Sequence, residues 1–259
     1  MILALTRPIS ASLAECELTY LLRQPIDLDL AREQHARYQQ ALRDLGCRVQ
    51  SLPEAPELPD AVFVEDLAVV LDDLAILTRP GAASRRPELE SVKTALQRHR
   101  LIMRIASPGT LEGGDVLRLG HSIYVGLSGR TNADGVRQLQ SLVAPHGYRV
   151  EAVPVRGCLH LKSAVTELAP GLLLVNPEWV DPATFGGRRA VAAARDEPQA
   201  ANALCIGSRV IFPAAFPGTL AVIERQGIAV RVVDVSEIQK AEGGVTCCCL
   251  LLSDPEAAG

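Results

Sequence analysis

Apolar positions along the chain recur in two alternating rhythms. Stretches with apolar residues at helical spacing end near a Gly or a basic residue and are followed by short apolar runs rich in β-branched residues. The spacing predicts helix then strand over 30–45 and 47–52, over 88–100 and 101–106, and over 136–146 and 148–155. The same layout returns over 220–226 and 228–235, and in a weaker form over 189–203 and 205–212. Between these units lie paired strand-like runs, 61–70 with 74–78, 114–119 with 122–125, and 163–168 with 171–175. Short turns at Asp72-Asp73, Gly120-His121 and Pro170-Gly171 predict that each pair is a hairpin. The recurring unit is strand, strand, helix, strand, about fifty residues long, and five copies account for nearly the whole chain. Periodicity alone leaves an ordinary α/β sandwich as the alternative. No long linker interrupts the pattern, so 1–259 reads as a single domain.

Composition narrows the classes of function. With 48% hydrophobic and 22% charged residues, the 259-residue chain can bury a sizeable core. The 26 basic against 30 acidic side chains give a net charge of -4, which argues against nucleic acid as the main ligand. Aromatics are only 3%, too few for platforms that stack single-stranded bases. No run approaches the roughly 18 uncharged apolar residues of a membrane span, and the first residues meet Arg7 and Pro8 before any secretory signal could form. A cytoplasmic protein is expected. Its seven cysteines, three of them consecutive at Cys247, Cys248 and Cys249, suit a reducing compartment better than a disulfide framework. Metal-type CxxC pairs, GxGxxG and GxxxxGK[ST] are all absent, so neither a metal nor a nucleotide cofactor is expected.

A few segments carry candidate chemistry. LPDAVFVEDLAVV places Asp60, Glu65 and Asp66 in or beside an apolar strand, where a buried carboxylate needs a cation or hydrogen-bond donors. Strand alternation sends Glu65 and Asp66 to opposite faces, so one of the two should face a pocket. LEGGDVL sets Glu112 and Asp115 around two glycines, where backbone can approach a ligand closely. Of the five histidines, His160 alone lies in a Gly-led apolar context, GCLHLKSAV, suited to an acid and base. In GGVTCCCLLL, Cys247 is nearest the glycine turn and best placed to reach a cleft, while Cys248 and Cys249 read as buried strand residues. Arg85 and Arg130 lie in separate loops and could clamp a carboxylate. The bland alternatives are solvated acids at a strand end, a tight turn, a core histidine and surface arginines.

Taken together and in order, LPDAVFVEDLAVV, LTRPGAASRR, LEGGDVL, VGLSGRTN, LHLKS and GGVTCC resemble the dimethylarginine dimethylaminohydrolase family, within the guanidino-modifying or pentein superfamily. The resemblance implies an α/β fold, a five-bladed ββαβ propeller around a central site. It implies Cys247 as nucleophile, His160 as general acid and base, and Glu112 as the carboxylate supporting His160 and the substrate. Asp66, with Glu65, would hold the guanidinium; Arg85 and Arg130 would meet the substrate α-carboxylate, and Asp60 and the backbone of Leu18 its amino group. Glu242 and Ala241 stand on the rim where some relatives have Asp and Val, and 10–24 would form a mobile lid. Arginine deiminases of the superfamily carry an acid two positions after the catalytic His, whereas here that residue is Lys162, which suits a methylated guanidinium. The implied reaction converts methylated arginines to citrulline through a covalent thiouronium, without a cofactor, in a monomer or homodimer. The competing readings are an arginine or other guanidine deiminase and a non-catalytic guanidino-ligand binding protein.

Overall fold

The computed structural model describes residues 1–253. Its strands form five separate three-stranded sheets arranged as the blades of a propeller. The first blade is built from β1 (Ile2–Thr6), α1 (Leu28–Asp44) and β2 (Cys47–Ser51), and the second from β3 (Ala68–Val70), β4 (Leu74–Leu77), α2 (Leu89–Leu96) and β5 (Leu101–Arg104). The third comprises β6 (Val116–Leu119), β7 (Ser122–Leu127), α3 (Ala133–Val143) and β8 (Arg149–Pro154). The fourth runs from a short α4 (Leu161–Ala164) through β9 (Val165–Ala169) and β10 (Leu172–Val175) to β11 (Arg189–Ala192). The fifth holds β12 (Leu204–Ile206), β13 (Arg209–Pro213), α5 (Pro217–Glu224) and β14 (Ala229–Val233), after which α6 (Ser236–Gln239) leads to β15 (Leu250–Ser253). In blades two to five an antiparallel hairpin is followed by a parallel third strand; blades two, three and five show the expected ββαβ order, and in blade four a 3-10 turn stands in place of the crossover helix. β15 supplies the missing antiparallel strand of the first blade by pairing with β1, so the two ends of the described chain close the ring.

Hydrophobic burial explains why the middle strands read as unbroken apolar runs. Leu74 and Ile76 enter the core between blades two and three, while Ala75 and Leu77 enter the core between blades one and two. Likewise Leu173 and Val175 face blade three, and Leu172 and Leu174 face blade five. Each blade is therefore sandwiched between neighbours and its middle strand is apolar on both faces, as in sheets covered on both sides. Local signals set the helix ends: Asp27 caps α1 by accepting from Asp29 and Leu30 N–H, and Asn132 caps α3 through Gly135 N–H.

The structure departs from the sequence pattern at four places, one of them the run expected as a single strand over 205–212, which turns back at Gly207 to form the antiparallel pair β12 and β13. The strand expected over 61–70 begins only at Ala68, and Val64–Leu67 is a 3-10 turn. Its backbone groups bond to distant partners instead of a ladder: Glu65 N–H donates to Cys247 O, and Thr78 N–H donates to Leu67 O. The helix expected over 189–203 is absent: Arg189–Ala192 is strand β11, and the crossover of blade four is a 3-10 turn at Pro182–Phe185. Pairing with β10 and packing of Ala190 and Val191 against the adjoining cores override the helical preference of the Ala-rich stretch. The cysteine run is a turn, with Cys247 N–H bonded to Gly244 O, and strand begins at Leu250, so alternation does not govern which cysteine faces the site.

Candidate active site

Three pieces of the ring converge on one small cavity: the 3-10 turns at Val64–Leu67 and Gly113–Asp115, and the His160 N-cap of α4. Asp66, Glu112, His160 and Cys247 all line it, with Asp60, Arg85, Arg130 and Glu242 around them. His160 Nε2 lies 2.7 Å from Glu112 Oε2, and its Nδ1 lies 3.8 Å from Asp66 Oδ1. Gly114 makes this approach possible. A Cβ there would stand 2.5 Å from His160 Nδ1 and 2.7 Å from Asp66 Oδ1, whereas the bare backbone N–H donates to Asp66 Oδ1 at 3.0 Å. Glu112 is held on its other oxygen by Gly81 N–H at 3.0 Å. Asp115, which the site assignment omitted, accepts from Leu161 N–H and Ser128 Oγ and so ties the α4 N-terminus to the EGGD turn.

Charge sets the protonation of these groups. Burial pushes the His160 imidazolium toward losing its proton, but the carboxylates of Asp66, Glu112 and Asp115 outweigh it and raise the pKa to about 9. His160 is thus a proton donor at neutral pH. Burial raises Asp66 and Glu112, yet His160 and Arg85 beside them win, and both carboxyls sit below the usual range. Cys247 is partly buried, and burial together with the Glu65 and Asp66 charges pushes its thiol up to about 12.

Glu65 and Asp66 do divide their work, through the 3-10 turn instead of a strand. Asp66 faces the cavity. Glu65 lies behind the nucleophile: its carboxylate meets Lys162 Nζ at 2.5 Å and Thr246 Oγ at 2.7 Å, while its N–H reaches Cys247 O. Asn202 bridges Thr246 to the Lys162 carbonyl, completing a network beneath the cysteine turn. Burial raises the Glu65 carboxyl and the Lys162 charge opposes that rise. Lys162, visible in the sequence as a departure from deiminases, therefore also neutralises the second acid of the pair.

Arg85 is buried and heavily engaged. It donates to Asp66 at 2.5 Å, to both oxygens of Glu88, and to the carbonyls of Asp60 and Phe63. Arg130 is less committed, 3.6 Å from Glu112 Oε1 and 3.2 Å from Thr19 Oγ1. Residues 17–21 of the 10–24 segment lie across this rim. Glu17 N–H donates to Asp60 Oδ2 at 3.2 Å, Leu18 packs on the adjoining core, and backbone N–H groups of Thr19, Tyr20 and Leu21 converge on the Glu242 carboxylate. Glu17 itself lines the cavity, a role that no local sequence signal marks. In this closed arrangement the cavity is about 20 Å³, room for roughly one water. A neighbouring chamber of about 250 Å³, walled by Trp179, Phe216 and Cys158, shares Leu159, Glu242, Gly243 and Cys247 with it.

Among the described residues, Asp66, Glu112 and His160 place ligand-type atoms within 4.8 Å of one another. A metal there would have to displace the His160 proton that these same carboxylates stabilise, and Arg85 already neutralises Asp66. The donors suit a planar cation with N–H groups better than a metal ion.

A family model described as N,N dimethylarginine dimethylhydrolase, eukaryotic, matches residues 22–199. The N(G),N(G)-dimethylarginine dimethylaminohydrolase of Streptomyces coelicolor is 43% identical over 246 residues, 94% of each chain. That of Pseudomonas aeruginosa is 39% identical over 223 residues, 85% of this chain and 88% of its own. The solved structure of a cysteine-to-serine variant of the Pseudomonas aeruginosa enzyme complexed with citrulline superposes with a TM-score of 0.92 at 37% identity, covering 96% of this chain and 98% of that one. Matched by the family model across well over half its length and by these relatives across nearly all of it, the chain belongs to the dimethylarginine dimethylaminohydrolase family.

Proposed function

We propose that this protein hydrolyses Nω,Nω-dimethyl-L-arginine and Nω-monomethyl-L-arginine to L-citrulline, releasing dimethylamine or methylamine. The observation that carries this reading is one closed cavity bearing a cysteine, an imidazolium paired with the Glu112 carboxylate, and a second carboxylate, Asp66, held in place by Arg85 and Gly114 N–H. Asp66 and Glu112 orient the guanidinium, and Arg130 and Asp60 face its amino-acid end. Cys247 attacks the guanidinium carbon as thiolate, forming a C–S bond and a tetrahedral adduct. His160 gives its proton to the methylated nitrogen, the C–N bond breaks, and the neutral amine leaves an S-alkylthiouronium. His160, now neutral, takes a proton from water as the water attacks that carbon. The C–S bond then breaks as the new hydroxyl gives up its proton to solvent, restoring the thiolate and releasing neutral citrulline.

Methylated substrates are favoured over arginine because Lys162 removes Glu65 from the cavity, so fewer acceptors serve the unsubstituted nitrogens. The enzyme acts as one catalytic domain over 1–259, in the cytoplasm, as monomer or homodimer, without nucleic acid. The net charge of -4 supports this reading, as does the finding that no described helix is long and apolar enough to cross a membrane. The test is citrulline formation from dimethylarginine, monomethylarginine, arginine and agmatine. Faster turnover of the two methylated arginines is expected; equal or faster turnover of arginine would assign the chain to deimination.

A further inference from the structure

The Glu242 carboxylate accepts from three consecutive backbone N–H groups of the segment that covers the site. Thr19 N lies 3.0 and 3.1 Å from its two oxygens, Tyr20 N at 2.5 Å and Leu21 N at 2.6 Å from Oε1. Successive N–H groups turned to one side form a concave anion cradle, and a charged acceptor makes each bond stronger than a neutral one would. The backbone of Glu242 carries a second, independent signal. Among the described residues it is the one non-glycine with φ in the left-handed region, at 58°, just beyond α6. Glycine or asparagine would hold that turn with less strain, so a glutamate there calls for a compensating contact. The cradle over the site is that contact.

We propose that Glu242 is the latch of the lid, a positioning residue that holds 17–21 closed and through it sets the amino-acid end of the substrate. This rests on the cavity reading above. The chain of contacts is short: Glu242 fixes Thr19, whose hydroxyl accepts from Arg130 Nη2 at 3.2 Å, and Glu17 N–H is bonded to Asp60. Arg130 and Asp60 thus keep the lid in place together with Glu242, and they are the groups facing the substrate rim. Substrate enters while the three bonds to Glu242 are open and is retained when they re-form over it, so losing them weakens retention of bound substrate and raises KM. Glu242 also lines both chambers beside Cys247, so closure of the latch completes the partition between them.

The test pairs E242N with E242D, two side chains of equal size that differ in charge. Amide hydrogen exchange of the unliganded full chain, thermal midpoint and steady-state kinetics with dimethylarginine are measured on both and on the parent. In E242N, exchange at Thr19, Tyr20 and Leu21 should quicken by at least about tenfold. KM should rise by more than about fivefold while kcat changes less. The thermal midpoint should hold or rise, because asparagine relieves the left-handed strain. E242D should recover part of the exchange protection and of KM. Unchanged exchange at the three amides, an unchanged KM, or identical behaviour of E242D and E242N overturns the latch. Exchange is read without substrate, so it decides the latch even if dimethylarginine proves not to be turned over.

Discussion

In the empty site Cys247 is a neutral thiol, with its pKa pushed up to about 12 by burial and by the nearby Glu65 and Asp66 charges. A thiol is a poor nucleophile, so the reaction depends on whatever lowers that value. A guanidinium in van der Waals contact supplies a positive charge about 4 Å from sulfur, and at an effective dielectric near 20 this is worth about 4 kcal/mol. That energy corresponds to about 3 pKa units and brings the thiol to about 9. At pH 7.5 the thiolate fraction would then rise about a thousandfold on occupancy by a cation. Two electrophiles of similar size separate the effect cleanly. Chloroacetamidine carries the cation with it and should inactivate with an apparent pKa near 9, whereas neutral iodoacetamide should show a rate still rising at the highest accessible pH. The limiting first-order inactivation constant at saturating chloroacetamidine, which titrates with the cation bound, is compared between pH 6 and 11 with the second-order constant for iodoacetamide, which titrates with the free enzyme, with adduct mass confirmed on Cys247. A common apparent pKa for both reagents would refute cation-assisted ionisation, as would a neutral-reagent pKa below about 8.5, the ordinary thiol value.

Removing His160 as His160→Gly should abolish turnover while leaving the first covalent step possible, so mass spectrometry should find an adduct on Cys247 that Cys247→Ser lacks. Because the His160 pKa is raised to about 9, kcat/KM should fall as pH rises through that value and the donor is lost. By the same linkage, its contribution to stability is complete below the ordinary histidine pKa of about 6.5 and disappears as pH rises through about 9, measurable as a difference in chemical-denaturation midpoint between parent and His160→Asn. Arg130→Ala should raise KM for amino-acid substrates by about tenfold or more, the loss of a charged hydrogen bond, and leave KM for agmatine, which lacks the carboxylate, little changed. Lys162→Met should leave Glu65 buried and unpaired and cost about 3 kcal/mol, read as a thermal midpoint lower by roughly 6–12 °C, while the double variant with Glu65→Gln loses less. Equal losses in the single and double variants would show that the pair is not coupled.

The sequence by itself carried the strand, strand, helix, strand period, while the choice of a propeller over an ordinary α/β sandwich came from the family resemblance and not from periodicity. Each middle strand is apolar on consecutive residues because both of its faces are covered by neighbouring blades, and that demand is written locally in runs such as Leu172–Val175. It also exposed the chemistry-bearing strings, because EGGD, GCLH and GGVTC set reactive residues beside glycines. Only the tertiary structure decided where those residues point. Glu65 and Asp66 are adjacent in sequence, yet a 3-10 turn fixed by Cys247 and Thr78 sends one to Lys162 and the other to the cavity. The helical pattern over 189–203 gave way to strand pairing with β10, since a blade needs its third strand more than a short Ala-rich segment needs its own helix. Glu17 and the lid contacts of Glu242 left no trace in local pattern, for they join segments 223 residues apart in the chain. Periodicity reports which faces are buried, whereas proton affinity and lid closure depend on charges and donors brought together from distant turns.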